Sequence, residues 1–161
     1  MVDYFQVEEL LSEEEKRFRD KVRRFVDEEC MPLIATHFDR GTFPTELVPR
    51  MAEMGLFGLH VDGYGCAKST HTIYGLICQE LGRCDSGLRA IFSVQNSLVM
   101  YPIYAFGSEE QKSRWLPAMA RGQAIGCFLT SWSRVSSVGS PLSRSSITLA
   151  PKRDSPTPFP V

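Results

Sequence analysis

The sequence lacks the residue patterns that mark several protein classes. Its five cysteines (Cys30, Cys66, Cys78, Cys84 and Cys127) contain no Cys-x-x-Cys pair, and their number is odd. Its three histidines (His37, His60 and His71) include no pair at metal-ligand spacing. A zinc site and a disulfide framework are both disfavoured, and reduced thiols are expected. Long apolar runs are also missing. The best, residues 98–106, falls well short of the roughly 20 residues of a spanning helix, so no membrane partner is expected. Excess charge is absent as well: the net value of -1 argues against nucleic acid as the main partner. The first residues are acidic and carry no apolar segment, so neither a signal nor a transit peptide is expected. The chain therefore reads as cytoplasmic, or as a matrix protein if its source has mitochondria.

What is present fits one domain of ordinary size. The 161 residues are 43% hydrophobic and 23% charged, enough for a hydrophobic core. The near-zero net charge hides a division. Residues 1–130 hold 14 basic and 18 acidic groups, whereas residues 131–161 hold four basic groups and one acid. The same boundary separates two compositions. Nine serines and half of the ten prolines lie beyond residue 130, with no helical or strand period except the brief Ile147-Thr148-Leu149. Such a segment cannot bury enough apolar surface to offset an ordering cost of about 1–2 kcal/mol per residue. It is expected to be mostly disordered.

The first 130 residues have helical patterning. Ser12-Glu13-Glu14-Glu15 has the form of a capping box, with Leu11 as the staple residue. Phe18, Val22, Phe25 and Val26 then share one face, and Pro32 is expected to end or kink this helix. A second helix fits residues 44–54, with Thr42 or Thr45 near its start and Gly55 as its stop. The glycine-rich residues 55–67 read as loop; Gly63-Tyr64-Gly65 lacks the third glycine and preceding strand of a phosphate loop. A third helix spans residues 72–83. A fourth spans residues 86–106, apolar almost all round and so expected at the centre of a bundle, with a kink at Pro102. Ser108-Glu109-Glu110-Gln111 opens a fifth helix with a second capping box, and Gly122 ends it. Residues 125–130 are β-permissive and could form a first strand.

One polar stripe needs explanation. Arg89 and Ser93 lie four apart on the fourth helix, and Asn96 and Ser97 continue the same stripe. A guanidinium on an apolar helix suits a ligand carboxylate or phosphate, which its planar fork can grip. A surface ion pair between Asp85 and Arg89 is the alternative. His37, His60 and His71 each look isolated and fit loop or surface roles, and Glu80 fits a helix-surface acid. No catalytic nucleophile or base is visible.

Several long motifs carry a resemblance. They are Gly55-Leu56-Phe57-Gly58-Leu59, Gln79-Glu80-Leu81-Gly82-Arg83-Cys84-Asp85-Ser86-Gly87-Leu88-Arg89 and Ser93-Val94-Gln95-Asn96-Ser97-Leu98-Val99-Met100-Tyr101-Pro102. Phe106-Gly107-Ser108-Glu109-Glu110-Gln111-Lys112, Trp115-Leu116-Pro117 and Gly126-Cys127-Phe128 follow. Together they resemble the acyl-CoA dehydrogenase family, and the segment from Asp85 to Met100 resembles its glutaryl-CoA dehydrogenase branch. The resemblance implies an all-α fold for residues 1–124, the helical N-terminal domain of that family. Residues 125–130 would begin its middle β-domain. It also implies FAD as cofactor, an acyl-CoA substrate and a homotetramer. The reaction implied is oxidation of glutaryl-CoA and its decarboxylation to crotonyl-CoA. Arg89 and Ser93 would contact the substrate's distal carboxylate. Phe128, Leu129 and Thr130 would line the flavin. A dehydrogenase for another short acyl-CoA and a helical interaction module without activity are the alternatives.

The resemblance breaks in mid-motif. The family's Phe-Gly-Leu-Thr-Glu-Pro reads Phe128-Leu129-Thr130-Ser131-Trp132 here, and nothing after it resembles the middle or C-terminal domains or their catalytic Glu. Out-of-frame translation or a truncation scar joined near residues 128–130 would produce this. Translating the coding DNA in its other two frames tests it.

Overall fold

The computed structural model describes residues 6–130 and 145–151. Eight α-helices, two π turns and two strands follow one another along these residues. Helix α1 (Val7–Leu10) leads into α2 (Glu13–Phe25), which opens on the expected capping box. The Ser12 hydroxyl accepts from the Glu15 N–H at 3.3 Å, and the Glu15 carboxylate accepts from the Ser12 N–H at 2.9 Å. Those bonds from Ser12 hold the Glu15 carboxyl below its ordinary range.

Pro32 does not end this helix. A π turn (Val26–Cys30) intervenes and α3 (Met31–Arg40) continues to Gly41, which takes a left-handed φ of 61°. The same device recurs at the second proline. Helix α6 (Ser86–Ser93) passes through a π turn (Val94–Met100) into α7 (Tyr101–Phe106), which contains Pro102. In both, the residue just before the proline donates its N–H five residues back, Met31 to Val26 and Tyr101 to Asn96. Proline removes a donor and crowds the carbonyl four residues earlier, and a widened turn relieves that crowding without stopping the helix. Composition alone does not announce a π turn, so Pro32 reads from sequence as a stop or a kink.

The remaining helices are α4 (Leu47–Glu53), α5 (His71–Cys84) and α8 (Glu109–Ala120). Neither threonine caps α4; the Thr42 hydroxyl instead meets His37 Nδ1 at 2.9 Å. Thr70 caps α5, accepting from the Ile73 N–H at 3.2 Å. Helix α8 opens on the second capping box, formed by Ser108 and Gln111. The core gathers Val22 and Phe25 from α2, Val26 from the π turn that follows, and Ile73, Ile77 and Leu81 from α5. Leu88, Phe92, Val99 and Met100 join it from the α6–α7 segment. That segment is not buried all round, contrary to expectation. Leu98, Tyr101 and Phe106 stay exposed, Phe106 at 87%, because neighbours cover only one side.

Glu80 also departs from the sequence reading. It is 1% exposed, and it ties α5 to α2 as an ion-pair hub. Its carboxylate takes Arg23 at 2.7 Å and Arg83 at 3.1 Å, and Arg83 reaches on to Asp27 at 2.7 Å.

Strand β1 (Ala124–Thr130) pairs antiparallel with β2 (Ser145–Pro151), Gly126 opposite Leu149 and Phe128 opposite Ile147. The one β-like stretch read in the tail, Ile147-Thr148-Leu149, thus lies in a strand. The rest of the tail reading falls outside the described residues. Gln95 fastens β1 to the helices: its amide donates to the Ala124 carbonyl at 3.2 Å and accepts from the Gly126 N–H at 3.0 Å. Gly126 packs against Val99 so closely that a Cβ there would overlap the valine methyls. Gly126→Ala should therefore cost about 2 kcal/mol of stability. In a Val99→Ala background the same change should cost clearly less. Urea unfolding of the four chains checks both statements.

Candidate functional site

The site is set by how two helices share one residue. Asp85 ends α5, its N–H reaching the Leu81 carbonyl at 2.9 Å, and begins α6, its carboxylate accepting from the Leu88 N–H at 2.9 Å. With a single residue between them, α5 and α6 fold back on each other. Tyr74 and Cys78, one turn apart on α5, then face Ser93 and Arg89, one turn apart on α6. Gly82 leaves room for the arginine stem: a Cβ there would stand 3.2 Å from Arg89 Cδ.

The expected pair of Arg89 and Ser93 is brought to one side. Arg89 is exposed and Ser93 half-buried. Among the described residues Arg89 makes no ion pair with Asp85, whose carboxylate accepts from the Leu88 N–H at the helix cap. The surface ion-pair alternative is therefore not what the structure adopts. The guanidinium lies beside the Cys78 thiol instead. Burial pushes that thiol up, and Tyr74 and Arg89 pull against it. The Tyr74 hydroxyl donates to Ser93 Oγ at 3.0 Å.

The stripe does not continue as the sequence suggests. Ser97 stays on it, donating to the Ser93 carbonyl at 2.7 Å, but Asn96 turns inward and is fully buried. Its side-chain oxygen accepts from the N–H groups of Gly58 and Leu59 at 2.8 and 2.9 Å. Its amide donates to the carbonyls of Leu56 and Phe92, both at 2.9 Å. Asn96 is thus the fastening of the glycine-rich loop, a role that i, i+7 spacing cannot reveal.

Two histidines taken singly in the sequence come together. The rings of His60 and His71 are 5.1 Å apart, and His60 packs on Tyr74 at 4.8 Å. They border a cavity of about 330 Å³ with Lys68, Ser97 and Tyr101. Burial, then His71, holds His60 below its ordinary pKa. No local sequence signal joins residues 11 apart across a loop. His37 keeps a surface role, bridging Thr42 and Glu46.

Phe128, Leu129 and Thr130 end β1, their backbones paired with Ile147, Ser146 and Ser145. This paired, extended backbone is what the described structure shows of the three residues expected at the flavin. Beside them an apolar groove of about 370 Å³ runs between α4 and β1, lined by Phe43, Val48, Pro49, Ile91 and Ile125. Among the described residues no cluster suits a metal ion, and no helix is long and apolar enough to cross a membrane. The arrangement can bind and orient an anion at Arg89. It presents no free carboxylate there to abstract a proton.

The thiols give a check on these surroundings. Burial raises Cys30 to about 12 and Cys66 to about 11, whereas Cys127 is exposed. Iodoacetamide at pH 8 should modify Cys127 first and reach Cys30 and Cys66 only on unfolding, as peptide mass mapping would record.

Comparison with known proteins places this architecture. Residues 12–123 match the acyl-CoA dehydrogenase N-terminal domain. The short-chain specific acyl-CoA dehydrogenase of Rattus norvegicus mitochondria is 34% identical over 122 residues, 75% of this chain and 30% of that protein. The glutaryl-CoA dehydrogenase of Mycobacterium smegmatis in complex with FADH2 superposes with a TM-score of 0.73 at 45% identity. That match covers 75% of this chain and 31% of that one. A second structure of glutaryl-CoA dehydrogenase from the same organism gives 0.71 at 48% identity, over 74% and 31%. The chain belongs to the acyl-CoA dehydrogenase family, FAD-dependent oxidoreductases, and carries its helical N-terminal domain. It spans about a third of the length of the relatives it matches.

Proposed function

We propose that this domain forms the substrate side of a glutaryl-CoA dehydrogenase, with Arg89 and Ser93 holding the distal carboxylate of the acyl chain. The observation that carries the reading is the exposed Arg89, unpaired with Asp85, one turn from a Ser93 hydroxyl that Tyr74 orients. Identity of 45–48% to glutaryl-CoA dehydrogenases supports it, against 34% for the short-chain relatives. The family's FAD would supply the hydride acceptor for the β-carbon of the substrate. Phe128, Leu129 and Thr130 would touch its ring, and further domains would hold the rest. Arg89 and Ser93 orient the acyl chain, and the apolar α6 core keeps their turn in place. Homotetrameric assembly follows the family, and the exposed Leu98, Tyr101 and Phe106 favour contact with more protein.

On their own these 161 residues should show no flavin absorbance and no glutaryl-CoA-dependent dye reduction, since they carry no counterpart of the family's catalytic Glu. The sequence beyond residue 130 is read as out-of-frame or scar sequence. Joining residues 1–127 to the middle and C-terminal domains of the M. smegmatis enzyme should give glutaryl-CoA oxidation. Oxidation of butyryl-CoA in preference would favour the second reading, a short-chain dehydrogenase.

A further inference from the structure

The donor direction at Ser93 has a consequence for what the site accepts. A serine hydroxyl has one proton and two lone pairs. The Tyr74 phenol lies 3.0 Å from Ser93 Oγ; with the phenol as donor, one lone pair is filled and the serine proton is left for another acceptor. Ser97 donates to the carbonyl four residues back, that of Ser93, at 2.7 Å, whereas among the described residues Ser93 Oγ makes no such bond to the Arg89 carbonyl. Tyr74 cannot swing away easily. Its ring lies between His60 at 4.8 Å and Phe92 at 5.0 Å, and Phe92 is fully buried. Arg89, one turn before Ser93, offers donors only.

We infer that Tyr74 is a positioning residue of the Arg89–Ser93 site, fixing Ser93 as a hydrogen-bond donor so that the site selects a group that only accepts, a carboxylate on a short acyl chain. The inference rests on the assignment of Arg89 and Ser93 to carboxylate binding. It adds that specificity is set from α5, by a residue that need not touch the ligand. Cys78, on the same face of α5 and beside Arg89, completes the wall against which the guanidinium lies.

The test uses the 161-residue chain and monomethyl glutarate, which has an ester at one end and a carboxylate at the other. Binding is followed by amide chemical shifts, with dimethyl glutarate as the uncharged control. Wild type should bind the monoester and not the diester, and Arg89→Ala should abolish binding. Tyr74→Phe keeps the ring packing and should weaken binding about fivefold, the effect of losing one oriented hydrogen bond. Ser93→Ala should weaken it similarly, and Tyr74→Phe with Ser93→Ala should be no weaker than Ser93→Ala alone. A purely structural role for Tyr74 would give additive losses instead. If Tyr74→Phe perturbs the fold, 3-fluorotyrosine at position 74, a stronger donor, should tighten binding, and unchanged affinity would overturn the inference. No monoester binding by wild type would sink the carboxylate reading itself. Binding lost in Arg89→Ala but unchanged in Tyr74→Phe would leave that reading standing and remove only the role of Tyr74.

Discussion

Asn96→Ala should destabilise the domain by roughly 3–5 kcal/mol, since each buried polar group left unpaired costs about 1–3 kcal/mol. Asn96 is fully buried and makes four hydrogen bonds, three of them to the backbone of residues 56–59. Truncation orphans two buried N–H groups and at least one carbonyl. Replacement by leucine would not help, because the orphaned groups belong to the loop and remain. Gly58 leaves the loop little room to adjust: its φ is 83°, and a Cβ there would collide with Cys66. Equilibrium unfolding in urea measures the loss. Hydrogen exchange at Gly58 and Leu59 should rise together. A loss below about 1 kcal/mol would mean that water replaces the side chain and that the loop is not fastened there.

The second large effect concerns Glu80. Arg23→Ala combined with Arg83→Ala should cost about 3–5 kcal/mol, because a buried carboxylate is left without a cation. Glu80 is 2% exposed at its side chain, whereas Arg23 and Arg83 are 45% and 42% exposed. The asymmetry sets the sign of the comparison. Glu80→Gln frees two arginines that water can reach, and should cost only about 1 kcal/mol. Urea unfolding curves of the two variants beside wild type read both predictions.

Much of the fold is legible in the sequence because its signals are local. Both capping boxes, the loop at residues 55–67 and the helices around residues 13, 71, 86 and 109 follow from spacing and from single residues such as Ser12, Ser108 and Gly122. What is hidden depends on partners far along the chain. Glu80 looks like a surface acid until Arg23, 57 residues earlier, is placed over it. Asn96 looks like part of the polar stripe until the loop 38 residues earlier claims it. The two π turns are hidden for another reason: they answer a steric demand of the next proline, which composition reads as a stop or a kink. At the site, Arg89 and Ser93 are visible as an i, i+4 pair. Tyr74 is not, because only the sharing of Asp85 between α5 and α6 brings it opposite Ser93.

The most direct measurement of the central claim is a substrate comparison across Arg89. In the chimera of residues 1–127 with the M. smegmatis middle and C-terminal domains, kcat/KM is measured for glutaryl-CoA and butyryl-CoA, with arginine or alanine at position 89. The account predicts a loss of about 100-fold for glutaryl-CoA, the scale of a lost charge-assisted pair, with butyryl-CoA within about twofold. Equal losses on both substrates, or none on either, would contradict it.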